Sequence, residues 1–198
     1  MSRSRLTDRR AAALLVALLV AIPLLDGCAP AVIAVGVGYG AVVANDQRST
    51  GAQLDDQTIE IKVTTTAGGR WGNEVHLNVT SYNGIVLLTG EAPSTVVQDE
   101  ITKIAQTTDR VRTVQNEMVI GPVTDLGART NDTYITSKVK TRLLEDEKLK
   151  ALYIKVVTER SVVYLMGIVP RPEGEQAAQV AATTSGVARV VKVFEYKN

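Results

Sequence analysis

Side chains that could bind a metal or act as nucleophiles are scarce in this chain. Its 198 residues include one histidine, His76, and one cysteine, Cys28. Zinc sites usually need three or four ligands, most of them histidine or cysteine, and an intrachain disulfide needs two cysteines. His76 begins a predicted strand with no cysteine near it in the sequence, which favours a histidine at the surface. We therefore predict no metal site and no cofactor.

Acidic pairs and isolated serines do not suggest a catalytic set either. Asp55-Asp56 and Asn131-Asp132 occur where helices are predicted to begin. There they would accept backbone N–H bonds and interact favourably with the helix dipole. No serine lies in a G-x-S-x-G motif, and the serines considered are predicted in turns or caps: Ser49, Ser81, Ser94 and Ser161. The sequence thus predicts a protein that is not an enzyme.

The charge balance excludes one class of partner. Lys and Arg total 22 and Asp and Glu total 21, whereas a nucleic-acid-binding domain usually carries a strongly basic surface. No nucleic-acid partner is predicted. The chain length allows one ordinary domain or two small ones.

The amino-terminal region has the pattern of a secretory signal. Four arginines lie within the first ten residues, and the stretch from Ala11 to Leu25 carries no charge. A basic segment followed by a short apolar one is typical of a signal peptide and is short for a transmembrane helix. Residues 1–27 are therefore predicted to be the signal peptide.

The signal ends in Leu25-Asp26-Gly27-Cys28, which resembles the bacterial lipobox. That resemblance implies that Cys28 becomes the acylated first residue of the mature protein, carrying palmitate. Ala29 after the cysteine implies sorting to the outer membrane. Asp26 departs from the pattern, where a small uncharged residue is preferred, and the alternatives are a free buried cysteine or ordinary signal cleavage nearby.

Residues 28–53 are predicted to form the acylated terminus and a flexible tether. Ala29–Ala44 is apolar and rich in small residues, and 45–53 is polar. Its glycines, Gly36, Gly38 and Gly40, follow G-x-G-x-G spacing, whereas a dinucleotide-binding loop needs G-x-G-x-x-G after a strand.

The remainder of the chain is one module repeated. Gly84–Gly90 aligns with Ser161–Gly167 at an offset of 77 residues. At an offset of 76, one set of four residues aligns with another: Asp56, Ile59, Lys62 and Val63 with Asp132, Ile135, Lys138 and Val139. Agreement at several places within each copy predicts two similar domains, over residues 54–121 and 130–198, with 122–129 as the linker.

Each copy is predicted to have the order helix, strand, strand, helix, strand. Asn83-Gly84 is a strong hairpin signal, and Gly186 ends the last helix before a closing strand. One segment is ambiguous, because Thr58–Thr66 alternates and is rich in β-branched residues, as in a strand. Its counterpart in the second copy has helical spacing, so we predict a short or frayed helix that is broken by Gly68-Gly69.

This order and the glycine-ended hairpins resemble the BON domain family. The arrangement of lipobox, spacer and two copies is similar to bacterial dual-BON outer-membrane lipoproteins. The resemblance implies an α+β fold of two tandem BON domains, each α-β-β-α-β with a three-stranded sheet packed by two helices. It also implies phospholipid binding, support of cell-envelope integrity and no catalytic groups.

The first helix of the second copy is the predicted binding surface. Ile135, Val139 and Leu143 repeat at helical spacing and define the side facing the core. Its outward side is predicted to bind anionic phospholipid, because a tyrosine and a leucine among lysines suit a helix resting on anionic headgroups. The predicted binding residues are Tyr134, Ser137, Lys138, Lys140, Thr141 and Leu144.

Two alternatives remain for this surface. In the first copy Thr58 stands at the place of Tyr134 and Thr64 at that of Lys140, so only the second copy should bind lipid in this way. Alternatively, Tyr134 packs against the protein and the cations are merely solvated. A further hypothesis is a periplasmic adaptor that binds outer-membrane assembly proteins. In either case the expected location is the outer membrane, lipid-anchored and facing the periplasm.

Overall fold

The computed structural model describes residues 46–197. The signal peptide, Cys28 and most of the predicted tether lie outside the described residues. The first module begins with two elements that include its longest helix, and it contains a single 3-10 turn at Gly72–Glu74. Its elements are α1 (Thr50–Trp71), β1 (His76–Tyr82), β2 (Ile85–Ala92), α2 (Thr95–Gln106), β3 (Thr113–Asn116) and β4 (Val119–Ile120).

The second module repeats this order with a longer closing strand. Its single 3-10 turn is Ala151–Tyr153. The elements are α3 (Leu126–Glu145), β5 (Lys155–Glu159), β6 (Val162–Pro170), α4 (Arg171–Ala182) and β7 (Arg189–Lys197).

Both sheets have the same topology. In the first, β2 is central, antiparallel to β1 and parallel to β3; in the second, β6 is central, antiparallel to β5 and parallel to β7. The predicted α-β-β-α-β order and three-stranded sheet are confirmed, with one addition. The closing strand of the first module is interrupted at Glu117-Met118, and β4 continues it along the far end of β2.

The two helices of each module cover one face of its sheet. In the first module α1 contributes Ile59 and Val63 to a core with Val86 and Leu88 of β2. In the second, the equivalent core is built from α3, α4 and the sheet, and its fully buried members include Ile135, Val139, Val163 and Leu165. Burial of these apolar side chains is the main stabilising contribution in each module.

The predicted short, broken first helix is wrong. Helix α1 runs for 22 residues through Gly68 and Gly69 and ends at Gly72, whose φ is +51°. The helix persists because Ile59, Val63 and Ala67 face the core at helical spacing. Tertiary burial therefore outweighs the local strand preference of the threonines.

The predicted helix caps are also corrected. The side chain of Ser49 accepts a hydrogen bond from Ala52 N–H at 3.1 Å, so α1 starts within the segment assigned to the tether. Helix α3 is capped by Asp125, which accepts from Ala128 N–H at 2.9 Å. Asp56 and Asp132 lie inside the helices, where they have another role.

Asp132 anchors the hairpin between β5 and β6. Its Oδ2 accepts the backbone N–H of Arg160 and its Oδ1 that of Ser161, both at 2.8 Å. These two turn residues have φ of +51° and +62°, the left-handed conformation of a type I′ hairpin. The buried carboxylate thus stabilises a turn whose residues are not glycine.

Asp56 does the same in the first module. It accepts from the backbone N–H of Asn83 at 2.7 Å and of Gly84 at 2.9 Å, and also binds Ser81 Oγ and Arg48. The repeated aspartate therefore links the first helix of each module to its hairpin.

The uncovered faces of the two sheets pack against each other. Tyr82 and Leu87 of the first sheet are buried against Tyr164 and Met166 of the second. The modules thus form four layers in the order helices, sheet, sheet, helices. This explains why β2 is buried along almost its full length.

Candidate functional site

Helix α3 presents the two faces that its sequence predicts. Ile135, Val139 and Leu143 are buried, as expected from their spacing. Tyr134 and Leu144 are each 62% exposed, although both are large and apolar or aromatic. The alternative in which Tyr134 packs against the other domain is not what the structure shows.

The remaining predicted residues lie on the same side of α3. Ser137, Lys140 and Thr141 are exposed, and Lys138 is half-buried. The ammonium of Lys138 lies 4.6 Å from the centroid of the Tyr134 ring and also donates a hydrogen bond to the carbonyl oxygen of Ser185. Lys138 therefore fixes the ring by a cation–π contact, and Lys140 is the more available cation.

Two exposed leucines extend this surface beyond the predicted set. Leu152, in the 3-10 turn after α3, is 58% exposed and lines a cavity of about 170 Å³ with Lys140 and Leu144. Leu126, in the first turn of α3, is exposed as well. Leu126 and Leu144 are 18 residues apart, which places them on one side of an α-helix. We call Leu126, Tyr134, Lys140, Leu144 and Leu152 the α3 surface.

Acidic side chains border the α3 surface at one end. Glu145 and Glu147 are exposed beside Leu144, and they would oppose an anionic partner there. Lys148 and Lys150 are exposed in the same stretch. The cationic character of the α3 surface is therefore centred on Lys140, and its apolar character on the leucines.

Helix α1 provides an internal comparison. Ile61 is 65% exposed on it, so exposed apolar area is present in both modules. Its cation Lys62, however, lies 3.6 Å from the carboxylate of Asp109, and the places of Tyr134 and Lys140 are taken by Thr58 and Thr64. The aromatic ring and the available amine distinguish α3 from α1.

A second cluster of polar groups lies between the two modules. Nδ1 of His76 lies 3.0 Å from Oε2 of Glu91 and 3.8 Å from Oε1 of Glu159. The histidine does begin β1, but the expectation of a surface position is wrong, because only 14% of its side chain is exposed. Sequence reasoning missed the cluster because Glu159 belongs to the other module.

The two carboxyls of this cluster differ in their proton affinity. Burial raises the pKa of Glu91, but hydrogen bonds from Thr124, His76 and Arg160 outweigh it and leave that pKa below its ordinary value. Burial also raises the pKa of Glu159, and the hydrogen bond from Asn78 does not offset this effect; repulsion by Glu91 adds to it. The cluster therefore holds more buried negative charge than its own partners neutralise.

Within residues 46–197, no helix combines the length and the apolar character needed to span a bilayer.

Comparison with protein families identifies both modules. The family described as "BON domain" matches residues 55–122 and again residues 131–198. The chain therefore belongs to the BON domain family, with two copies of the domain in tandem.

Three relatives extend this comparison to most of the chain. "Outer membrane lipoprotein DolP" of Haemophilus influenzae is 38% identical over 87% of this chain and 90% of its own length. "21 kDa hemolysin" of Actinobacillus pleuropneumoniae is 34% identical over 76% of this chain and 79% of its own. "Osmotically-inducible protein Y" of Escherichia coli is 25% identical over 76% and 77%. The two domains and the first similarity define a dual-BON, DolP-like protein, which supports an outer-membrane lipoprotein.

Proposed function

We propose that this protein is a non-enzymatic lipoprotein that binds anionic phospholipid through the α3 surface of its second BON domain. Acylation at Cys28 would hold it in the outer membrane, facing the periplasm, where it supports the integrity of the cell envelope. The observation that carries the proposal is the joint exposure of Tyr134 and Leu144 beside Lys140 on a helix whose other side is fully buried.

The physical basis is the composition of the α3 surface. An exposed tyrosine places its ring at the headgroup level, and leucines insert their side chains into the acyl boundary. An amine near an anionic bilayer contributes about 1 kcal/mol, and salt screens that contribution. The groups are few, so the α3 surface alone would bind reversibly and the acylated terminus would supply firm attachment.

Vesicle flotation tests the proposal. Residues 46–198 would be mixed with phosphatidylcholine vesicles with and without phosphatidylglycerol. We expect co-flotation with the anionic vesicles and a large loss of it for Tyr134→Ala. Thr58→Ala, at the equivalent place on α1, is the matched control and should bind as the parent does. Equal binding to both vesicle types, unchanged by Tyr134→Ala, would contradict the proposal.

A second candidate function uses the same residues. An exposed aromatic side chain beside a shallow apolar cavity is also a common anchor in protein interfaces. As an adaptor for outer-membrane assembly proteins, the chain would retain a defined partner in detergent extracts and lose it in Tyr134→Ala, while the vesicles bind neither form. The two functions are thus separated by the vesicle experiment.

Mass spectrometry of the mature amino terminus tests the anchor. An acylated Cys28 as first residue is the expected result. A mature protein that begins elsewhere, or that carries an unmodified Cys28, would overturn the lipoprotein assignment.

A further inference from the structure

The buried cluster of His76, Glu91 and Glu159 has a geometry that a structural hydrogen-bond network alone does not require. One imidazole nitrogen and one oxygen from each carboxylate lie within 4.8 Å of one another. The three residues come from β1, the end of β2 and the end of β5. The cluster therefore draws on both BON domains.

The distances suit a small divalent cation. Zinc binds nitrogen and oxygen ligands at about 2.1 Å, so neighbouring ligand atoms of a tetrahedral site are about 3.4 Å apart. The observed separations from Nδ1 of His76, 3.0 Å to Glu91 and 3.8 Å to Glu159, lie on either side of that value. Small side-chain rotations would equalise them.

Each carboxylate is oriented by a neighbour so that one oxygen points toward His76. Asn78 Nδ2 donates to Oε2 of Glu159 at 2.7 Å. Among the described residues, Oε1 of Glu159 accepts no hydrogen bond, although this side chain is only 5% exposed. Such fixing of the far oxygen is what outer-shell partners do for metal ligands.

Glu91 is held in the same manner by more partners. Its Oε1 accepts from the hydroxyl of Thr124 and from Nη1 of Arg160 at 3.3 Å. Its Oε2, which faces His76, also accepts the backbone N–H of Thr124 at 3.1 Å. The side chain is fully buried, so its position is fixed before any ligand arrives.

The charges around the cluster leave room for a cation. Arg160 contributes positive charge, but half of its side chain is in solvent, where its field is screened. The carboxylates of Glu91, Glu159 and Asp132 are all buried. A neighbouring cavity of about 150 Å³, lined by His76, Asp132 and Glu159 among others, provides space for water as a further ligand.

We propose that His76, Glu91 and Glu159 form a Zn²⁺ site that joins the two BON domains. Zinc binding would form bonds to Nδ1 of His76 and to one oxygen of each carboxylate, and it would release the proton on Nδ1 to solvent. One imidazole and two carboxylates are ligand types that zinc accepts. The metal would then be structural, holding the ends of β1, β2 and β5 together.

The test uses the full-length chain, purified in detergent without an affinity tag and treated with a chelator. Because His76 is the only histidine, the ring nitrogen resonances in a ¹⁵N NMR spectrum report on this site alone. Titration with Zn²⁺ should shift the Nδ1 resonance and saturate at one equivalent. Ring resonances that do not move at saturating Zn²⁺ overturn the proposal without any variant being needed.

Substitutions locate the binding energy by calorimetry. His76→Gln and Glu159→Gln should each weaken Zn²⁺ binding at least tenfold, and Asn78→Ala, which removes an outer-shell partner, about tenfold. Glu195→Gln is the matched control, because Glu195 bridges the domains through Arg112 and Asn83 away from His76. Zinc affinity that survives His76→Gln or Glu159→Gln, or that falls equally in Glu195→Gln, contradicts the site.

Discussion

Replacing Asp132 by Asn should destabilise the second domain strongly, although the change is nearly isosteric. The carboxylate accepts two backbone N–H bonds at 2.8 Å in a buried position. An asparagine can keep only one of them, because its NH₂ group would face the other N–H. Loss of a hydrogen bond to a charged group costs about 1.5–3 kcal/mol, and the stranded N–H adds to the cost.

Relief of the repulsion between Asp132 and Glu159 offsets part of this loss. We therefore expect the free energy of unfolding to fall by about 2–3 kcal/mol, which is a large fraction of the stability of a small domain. The assay is urea unfolding of residues 46–198 followed by circular dichroism.

The matched control is the same chemical change on the same helix. Asp125→Asn alters an exposed N-cap, where asparagine is as good as aspartate, so the free energy of unfolding should change by less than about 0.5 kcal/mol. If Asp132→Asn proves as harmless as Asp125→Asn, the hairpin is not stabilised by the helix carboxylate and the physical account of the repeat fails.

Three further predictions concern charge, backbone and membrane affinity. Because the pKa of Glu159 is raised above its ordinary 4.5, its ionisation removes stability as pH rises through that window; metal-free Glu159→Gln should therefore have a melting temperature at neutral pH at least equal to that of the parent, an advantage that disappears below pH 4.5, and a lower value at neutral pH would contradict this. Gly90 has φ of +113° and an added Cβ would collide with the carbonyl oxygen of His76, so Gly90→Ala should cost about 2–3 kcal/mol in urea unfolding, whereas Gly68→Ala, in open space on α1, should not destabilise. Lys140→Gln should weaken binding to anionic vesicles about fivefold at low salt, equivalent to about 1 kcal/mol, with no difference in high salt; a salt-independent loss would refute an electrostatic role.

The α3 surface could be predicted from the sequence because its signal is local. Ile135, Val139 and Leu143 repeat at helical spacing, and this fixes which side chains point outward. The internal repeat likewise predicted the element order of both domains. Leu152 was missed because it lies in a separate 3-10 turn, which no helical periodicity connects to Leu144.

The errors have identifiable physical causes. The caps were assigned to Asp56 and Asp132 because aspartate favours helix starts, yet both are buried where they accept N–H bonds from hairpins 25 residues or more away along the chain. Their equivalence in the repeat was the available signal that they share a structural role. A helix interior can hold aspartate when a tertiary partner satisfies it.

The packing of the two sheets left a sign in the sequence that alternation alone would not explain. Val86, Leu87 and Leu88 are consecutive and all apolar, which is typical of a strand covered on both faces. The cluster at His76 had no such sign. Glu159 lies 83 residues further along the chain, and only the contact between the domains brings it to His76.

Membrane insertion of α3, and not of α1, is the central claim. Residues 46–198 contain no cysteine, because Cys28 lies outside them, so a single environment-sensitive fluorophore can be attached at Leu144→Cys or, as the control, at Ile61→Cys, two similarly exposed positions. With phosphatidylglycerol-containing vesicles, the emission of the probe at position 144 should shift to the blue while that at position 61 stays as in buffer. Equal shifts at both positions, or no shift at position 144, would contradict the account.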